Sequence, residues 1–309
     1  KSMINQTKNT LITIVGPTAI GKTALSIELA KHFNADIISC DSRQFYKEMT
    51  IGTAVPEKHE LAAAKHHFIQ NRSVFEDYNV GDFEKDALKK LDELFKKNAI
   101  QIMVGGSGLY VDAVLKGLDY FPKVDKTVRE KLNKTLEEKG LTHLQNQLKA
   151  LDIETFNNIA IDNPQRVIRA LEICIGTETP YSTYKNKPKT KRNFNSIKIG
   201  LTADRDIIYN RINQRVDLMM ANGLLDEAKS LYEFKHLNAL QTVGYRELFS
   251  FFNGEFDKDF AISEIKKNTR RFAKRQLTWF RKDGAIIWFD FKTSKNEILK
   301  ELNNKINLF

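Results

Sequence analysis

The stretch GPTAIGKT, Gly16 to Thr23, limits what this chain can fold into more than any other feature. It fits the pattern G-x-x-x-x-G-K-[ST] in the context that makes the pattern specific. An apolar run from Leu11 to Val15 leads in, and helically spaced Ala24, Leu25, Ile27 and Leu29 lead out. A strand that passes into a helix through such a turn makes Gly16, Pro17, Thr18, Ala19, Ile20, Gly21, Lys22 and Thr23 a phosphate cradle. Backbone N–H groups converge on phosphate oxygens, the helix N-terminus adds partial positive charge, Lys22 adds a full one, and the Thr23 hydroxyl can reach a magnesium ion. The pattern specifies phosphate without specifying the molecule that carries it.

Further β-rich runs follow: DIISC from Asp36, QIMVG from Gln101, SIKIGL from Ser196 and AIIWFD from Ala285. Helical spacing lies between most of them, as in Ala87, Leu88, Leu91, Leu94 and Phe95. Strands alternating with helices predict an α/β fold of the P-loop NTPase type, a parallel sheet flanked by helices. From Tyr120 to about Asn195 the rhythm breaks into charged helical pattern with no convincing strand. The reading is a discontinuous core, 1–118 and 196–309, interrupted by an all-helical insertion over 119–195. Its exit, YSTYKNKPKTKRNFN, is polar, basic and proline-bearing, as a surface linker or binding loop would be.

A hydrolysing NTPase calls for a strand ending in a magnesium-holding acid and a residue that positions water. The third run instead ends in IMVGGSGLY, with Gly105 and Gly106 where such an acid could stand, while the second is closed by Asp41 in IISCDSRQFY. Parallel strands end at one edge, so Asp41 and the phosphate loop open into one crevice, together with Ser42, Gln44, Ser107 and Tyr110. That set suits group transfer to an acceptor better than hydrolysis. Asp41 as a plain turn or cap residue, and Ser107 as part of a backbone-driven Gly-Gly-Ser-Gly turn, remain open on spacing alone.

The balance of 49 Lys+Arg against 39 Asp+Glu favours polyanionic partners, nucleic acid first. Its distribution is more telling than its total. In SEIKKNTRRFAKRQLTWFRKDG the pairs Lys266/Lys267, Arg270/Arg271 and Lys274/Arg275 recur every four residues, with Ile265, Phe272 and Trp279 every seven. This predicts a helix with a basic stripe opposite an apolar seam. Arg166 and Arg169 share one side of a helix capped by Asp162 or Asn163, and Arg211 and Arg215 lie four apart at the start of the helix after the fourth strand. Cys40 and Cys174 sit in apolar runs without C-x-x-C spacing, which reads as reduced core cysteines in a cytoplasmic protein. Adjacent His66 and His67 would face apart on a helix, so no protein-built metal cage is expected. No apolar run reaches the roughly 18 residues needed to cross a membrane, and the polar start, residues 1–9, lacks the apolar core of a signal peptide.

Taken together, GPTAIGKT, DSRQFYKEMTIGTAVP, HHFI, YNVGDF, GGSGLY, NPQRVIRALEI, QRVDLMMANGL, TVGYRE and TRRFAKRQLTWFR resemble, in order and kind, the tRNA dimethylallyltransferases, also called tRNA isopentenyltransferases. The resemblance runs from about Leu11 to Arg281. It implies transfer of a dimethylallyl group from dimethylallyl diphosphate to N6 of the adenosine 3′ of the anticodon, in tRNAs reading codons that begin with U. By the same resemblance Asp41 is the base for N6, Ser107 the hydroxyl meeting substrate, and Lys22, Thr23 with Mg2+, and Arg215 the groups that hold the diphosphate. It further implies tRNA contacts over Asp41, Ser42, Arg43 and Gln44, at Arg129, over Gln165, Arg166, Val167, Ile168 and Arg169, and around Gln241, Gly244, Tyr245 and Arg246. The helical insertion is implied to clasp the anticodon stem-loop. Ser107 stands where the family usually has Thr, and Val55 where Lys is frequent. The lack of a zinc-finger pattern points to the bacterial form, and a monomer is expected. An adenylate isopentenyltransferase acting on free nucleotide, and a P-loop kinase or RNA-binding NTPase, are the alternatives. The basic helix and long insertion weigh against the first.

Overall fold

The computed structural model describes residues 8–309; the first seven residues of the polar start lie outside the described residues. Two compact units emerge, one built from residues 8–116 and 192–309, the other from 117–191.

In the first unit, chain order begins β1 (Thr10–Val15), α1 (Lys22–Phe33), β2 (Ile37–Ser39), α2 (Lys58–Ala63), β3 (His66–His67), α3 (Val80–Phe95), β4 (Ile100–Val104) and α4 (Gly108–Lys116). The second unit contributes α5 (Lys126–Lys139), α6 (Leu141–Leu151), α7 (Ile153–Asn158) and α8 (Pro164–Thr177). The first resumes with β5 (Asn195–Thr202), α9 (Arg205–Ala221), α10 (Leu224–Leu231), α11 (Tyr245–Phe252), α12 (Lys258–Phe280), β6 (Ile286–Asp290) and α13 (Lys295–Ile306).

The six strands form one sheet in the order β3-β2-β4-β1-β5-β6, every neighbouring pair parallel. All six residues of β1 are buried, as a central strand covered on both faces requires. Side chains alternate between faces. Ile12 and Ile14 pack with Leu25 and Leu29 of α1, Ile212 of α9 and Leu302 of α13. Leu11 and Val15 pack with Phe83 and Leu91 of α3, Val114 of α4 and Phe280 of α12. Each such side chain, fully buried, contributes about 1.5–3 kcal/mol of transfer free energy, so β1 is held rigidly where it delivers Gly16.

The sheet departs from the sequence reading at its edge. His66 and His67 form a two-residue strand rather than part of a helix, with Ile37 opposite His66 in register. His67 Nε2 lies 2.8 Å from Asp36 Oδ2, tying this short edge to the start of β2. Two residues are too few to show a period. Residues 192–195, grouped by sequence with the insertion, lie in the first unit: Asn195 opens β5, and Arg192 bonds Glu84 and the carbonyls of Ala113 and Val114.

The second unit is all helical among its described residues. Its core is Leu132, Leu144, Leu148, Val167, Ile168, Leu171 and Cys174. Asn163 caps α8 by accepting from the Gln165 and Arg166 N–H groups, and Pro164 occupies the first turn, where its missing N–H costs nothing. Among the described residues, no helix is long and apolar enough to cross a membrane.

Candidate active site

The phosphate loop leaves β1 at Gly16 with φ 146°, where a Cβ would stand 2.6 Å from the Leu201 carbonyl of β5. Only glycine fits there. Gly21, φ 108°, turns the chain into α1. Between them Ala19 is left-handed at φ 66°, an unfavourable conformation for a residue with a Cβ. Arg211 Nε donates to the Ala19 carbonyl at 2.7 Å, holding the loop in that shape. Arg215, one turn on, places Nη1 3.3 Å from Thr18 Oγ1. Both arginines stand in the middle of α9 rather than at its start.

Lys22 Nζ donates to the Pro17 carbonyl at 2.7 Å and lines a crevice of about 230 Å³. Thr18 to Thr23, Asp41 and Arg215 share that crevice. Burial lowers the Lys22 ammonium to about 8; the Asp41 charge opposes this and Arg215 adds to it. The Arg215 guanidinium is likewise held below its ordinary value, first by burial and then by Arg211, with Asp41 pulling the other way. Two desolvated cations thus share one carboxylate, an arrangement ready to accept an anion with several charges.

Asp41 follows β2 by two residues, and its Oδ1 accepts the Arg43 N–H at 3.0 Å, which fixes the carboxylate's orientation. Gly105, at the exit of β4, is glycine because a Cβ would meet the Cys40 carbonyl carbon and Sγ at 2.7 Å. Ser107 turns toward the β2 exit: its Oγ accepts the Ser42 N–H at 3.2 Å and lies 3.1 Å from Ser42 Oγ. It does not line the crevice, so its hydroxyl stands one residue behind the carboxylate. Tyr110 also leaves the crevice, packing against Phe45 and Phe83.

Arg43 and Gln44 line the crevice, but their polar ends hold neighbouring loops. Arg43 Nη2 donates to the Gly52 and Val243 carbonyls, and Gln44 Nε2 to those of Thr53 and Ala54. In the second unit Arg129 bonds Glu172 and Gln165, and Arg169 bonds Glu172, with Arg166 exposed beside them. Val167 and Ile168 are fully buried, a correction to their reading as RNA contacts: the helical period turns them inward. Tyr245 is corrected in the same way, being fully buried, and Gly244 lies buried in the crevice wall. Gln241 and Arg246 are exposed.

The seam of α12 also differs from the expected one. Ala261, Ile265, Ala273, Gln276 and Phe280 are buried, whereas Trp279 keeps 39% of its surface exposed and donates Nε1–H to Asp112. The basic stripe divides along its length. Lys266 pairs with Asp217, Lys267 with Glu264, and Arg270 with Asn213, while Arg271, Lys274 and Arg275 are exposed. One face of the helix, Ile265, Thr269, Phe272 and Gln276, runs along the crevice. Sequence reasoning missed Gln276 and also Glu227, whose carboxylate accepts the Thr50, Ile51 and Gly52 N–H groups and the Tyr245 hydroxyl.

For magnesium, the donor set offers hard oxygens, the Thr23 hydroxyl and the Asp41 carboxylate, on the crevice lined by the loop from Thr18 to Thr23. That fits an ion carried mainly by substrate phosphate oxygens with one or two protein ligands.

The family described as IPP transferase matches residues 44–283 of this chain. A tRNA dimethylallyltransferase of Flavobacterium psychrophilum is 61% identical over 304 residues, covering 96% of this chain and 99% of that protein. A tRNA dimethylallyltransferase 1 of Bacteroides fragilis is 44% identical over 300 residues, covering 97% and 99%. Among solved structures, the full-length tRNA isopentenylpyrophosphate transferase of Bacillus halodurans superposes with a TM-score of 0.71 at 37% identity, over 97% of this chain and 96% of that one. A eukaryotic dimethylallyltransferase acting on tRNA gives 0.79 at 26% identity, over 97% and 80%. Matched along nearly its whole length in sequence and in fold, the chain belongs to the IPP transferase family.

Proposed function

We propose that this protein is a tRNA dimethylallyltransferase. It moves the five-carbon group of dimethylallyl diphosphate to N6 of the adenosine 3′ of the anticodon, position 37, giving N6-dimethylallyladenosine and diphosphate. The observation that carries this reading is the meeting of a phosphate loop, a half-buried Arg215 and the Asp41 carboxylate on one crevice.

As the allylic C–O bond breaks, its electron pair leaves on the diphosphate. The loop N–H groups from Ala19 to Thr23, Lys22 and Arg215 face the charge that develops there, so their attraction is greatest in the transition state. Thr23, with Asp41 close by, would hold Mg2+ against the donor's phosphate, and the ion would supply Lewis-acid stabilisation of the same charge. The N6 lone pair is delocalised into the adenine ring, which makes it a weak nucleophile. As it bonds to the allylic carbon, its proton goes to Asp41, which Arg43 N–H keeps oriented. A base extruded from a single-stranded loop reaches such a crevice at lower cost than one taken from a duplex. Arg129, Gln165, Arg166, Arg169, Gln241, Arg246 and the exposed Arg271, Lys274 and Arg275 are the polar groups assigned to the RNA. The enzyme works as a cytoplasmic monomer.

Mass spectrometry of tRNA incubated with dimethylallyl diphosphate and Mg2+ tests the reading. A five-carbon addition on the adenosine beside the anticodon supports it. Modification of AMP with an untouched anticodon stem-loop, or phosphate release from ATP in a parallel reaction, overturns it.

A further inference from the structure

Gln276 reaches into the crevice wall from α12 and is almost fully buried. Its Oε1 accepts the Thr18 N–H of the phosphate loop at 2.8 Å, and its Nε2 donates to the Gly106 carbonyl beyond β4 at 3.1 Å. Thr18 is 258 residues away in sequence and Gly106 is 170 away. The amide lies so close that a Cβ on residue 106 would stand 2.1 Å from Nε2.

We infer that Gln276 is a positioning residue that sets the separation between the donor's reacting carbon and the acceptor carboxylate. The geometry forms a continuous chain. Gln276 joins the donor loop to Gly106; the next residue, Ser107, bonds Ser42 N–H and lies against its hydroxyl; Arg43 N–H then orients Asp41. Of the two amide side chains, which offer an acceptor and a donor side by side without charge, only glutamine has this length. Glutamate keeps the Thr18 bond but sets a carboxylate against the Gly106 carbonyl, and methionine fills the volume with neither bond. Because the Thr18 N–H is spent on Gln276, and Pro17 has none, the amides left to meet phosphate begin at Ala19. Gln276 therefore acts on alignment rather than on phosphate contact.

The inference rests on the transfer reaction proposed above, and its test separates the two. Single-turnover prenylation of an anticodon stem-loop is measured for the unaltered protein, Gln276→Met and Gln276→Glu, alongside Kd for dimethylallyl diphosphate and for the RNA. Failure of the unaltered protein to prenylate refutes the proposed function. With that control active, alignment predicts a rate at least about 30-fold lower in both variants, since small misplacements of reacting groups cost up to about 100-fold. Both Kd values should stay within about threefold in Gln276→Met; in Gln276→Glu the RNA Kd should stay within that range, while the added anion beside the phosphate loop weakens donor binding, so that rate is read at saturating donor. A rate within threefold of the unaltered protein in either variant overturns the inference. So does a loss of donor affinity in the uncharged Met variant as large as its loss of rate, which would make Gln276 a binding or merely structural residue. If the Met variant fails to fold, the Glu variant decides by its rate at saturating donor: a fall of at least about 30-fold supports alignment and a rate within about threefold overturns it.

Discussion

The Tyr245 hydroxyl donates to Glu227 Oε1 at 2.5 Å, beneath the loop whose N–H groups at Thr50, Ile51 and Gly52 point at the same carboxylate. Gly52 lies against the Tyr245 ring, where a Cβ would come within 2.6 Å of the phenol. The Gly52 carbonyl in turn receives Arg43, so a buried tyrosine supports the residue that orients Asp41.

Tyr245→Phe removes one hydrogen bond from a carboxylate that keeps its backbone donors. The expected cost is about 1–3 kcal/mol, seen as a fall of a few degrees in melting temperature. Affinity for tRNA should stay within about twofold, because the ring never reaches solvent. Loss of RNA affinity at an unchanged melting temperature would instead make Tyr245 an RNA contact.

This pair shows where the sequence was legible. The strand into GPTAIGKT and the closing Asp41 could be read because their meaning is local: apolar alternation, glycine at a turn, an acid after a strand. Val167 and Ile168 were misread because motif membership was weighed above helical period, which turns both inward with Leu171 and Cys174. Gln276 was hidden for a different reason. It stands among Lys274, Arg275 and Arg281, and the partners that give it meaning lie 258 and 170 residues away. Edge strand His66–His67 was too short to leave a pattern.

The lowered Lys22 ammonium gives a pH signature. In the free protein Lys22 loses its proton near pH 8, whereas bound diphosphate favours the charged form. Affinity for dimethylallyl diphosphate should therefore weaken toward tenfold per pH unit above about 8, with proton uptake on binding in that range. Calorimetry in buffers of differing ionisation enthalpy reads both, and Lys22→Met should abolish the uptake. The stability effect has the opposite sense. Between about pH 8 and 10.5 the unfolded chain holds a proton that the folded lysine has released, so this group adds stability as pH rises through that window.

Division of the α12 stripe predicts which cations meet RNA. Lys266 and Arg270 are engaged with Asp217 and Asn213 of α9, so replacing them should cost stability before affinity. Replacing Arg271, Lys274 and Arg275 together with Gln should weaken tRNA binding and flatten its salt dependence, lowering the log–log slope by about 2 if all three contact phosphates. Affinity for dimethylallyl diphosphate should not change. An unaltered slope would assign these three side chains to solvent.

Asp41→Asn isolates the charge of the crevice carboxylate, since the amide oxygen can still accept the Arg43 N–H and preserve the turn. What is lost is the capacity to take the N6 proton, together with the negative charge shared by Lys22 and Arg215. Single-turnover prenyl transfer should fall by about 100- to 10,000-fold, the range for removal of a general base, while tRNA affinity stays near that of the unaltered protein. Donor affinity should rise or hold, because two desolvated cations no longer have a competing anion beside them. This opposite movement of rate and donor affinity distinguishes the role. A carboxylate serving only to carry magnesium would lose donor affinity with rate, in proportion to the metal added, and one serving only as a turn would leave both unchanged.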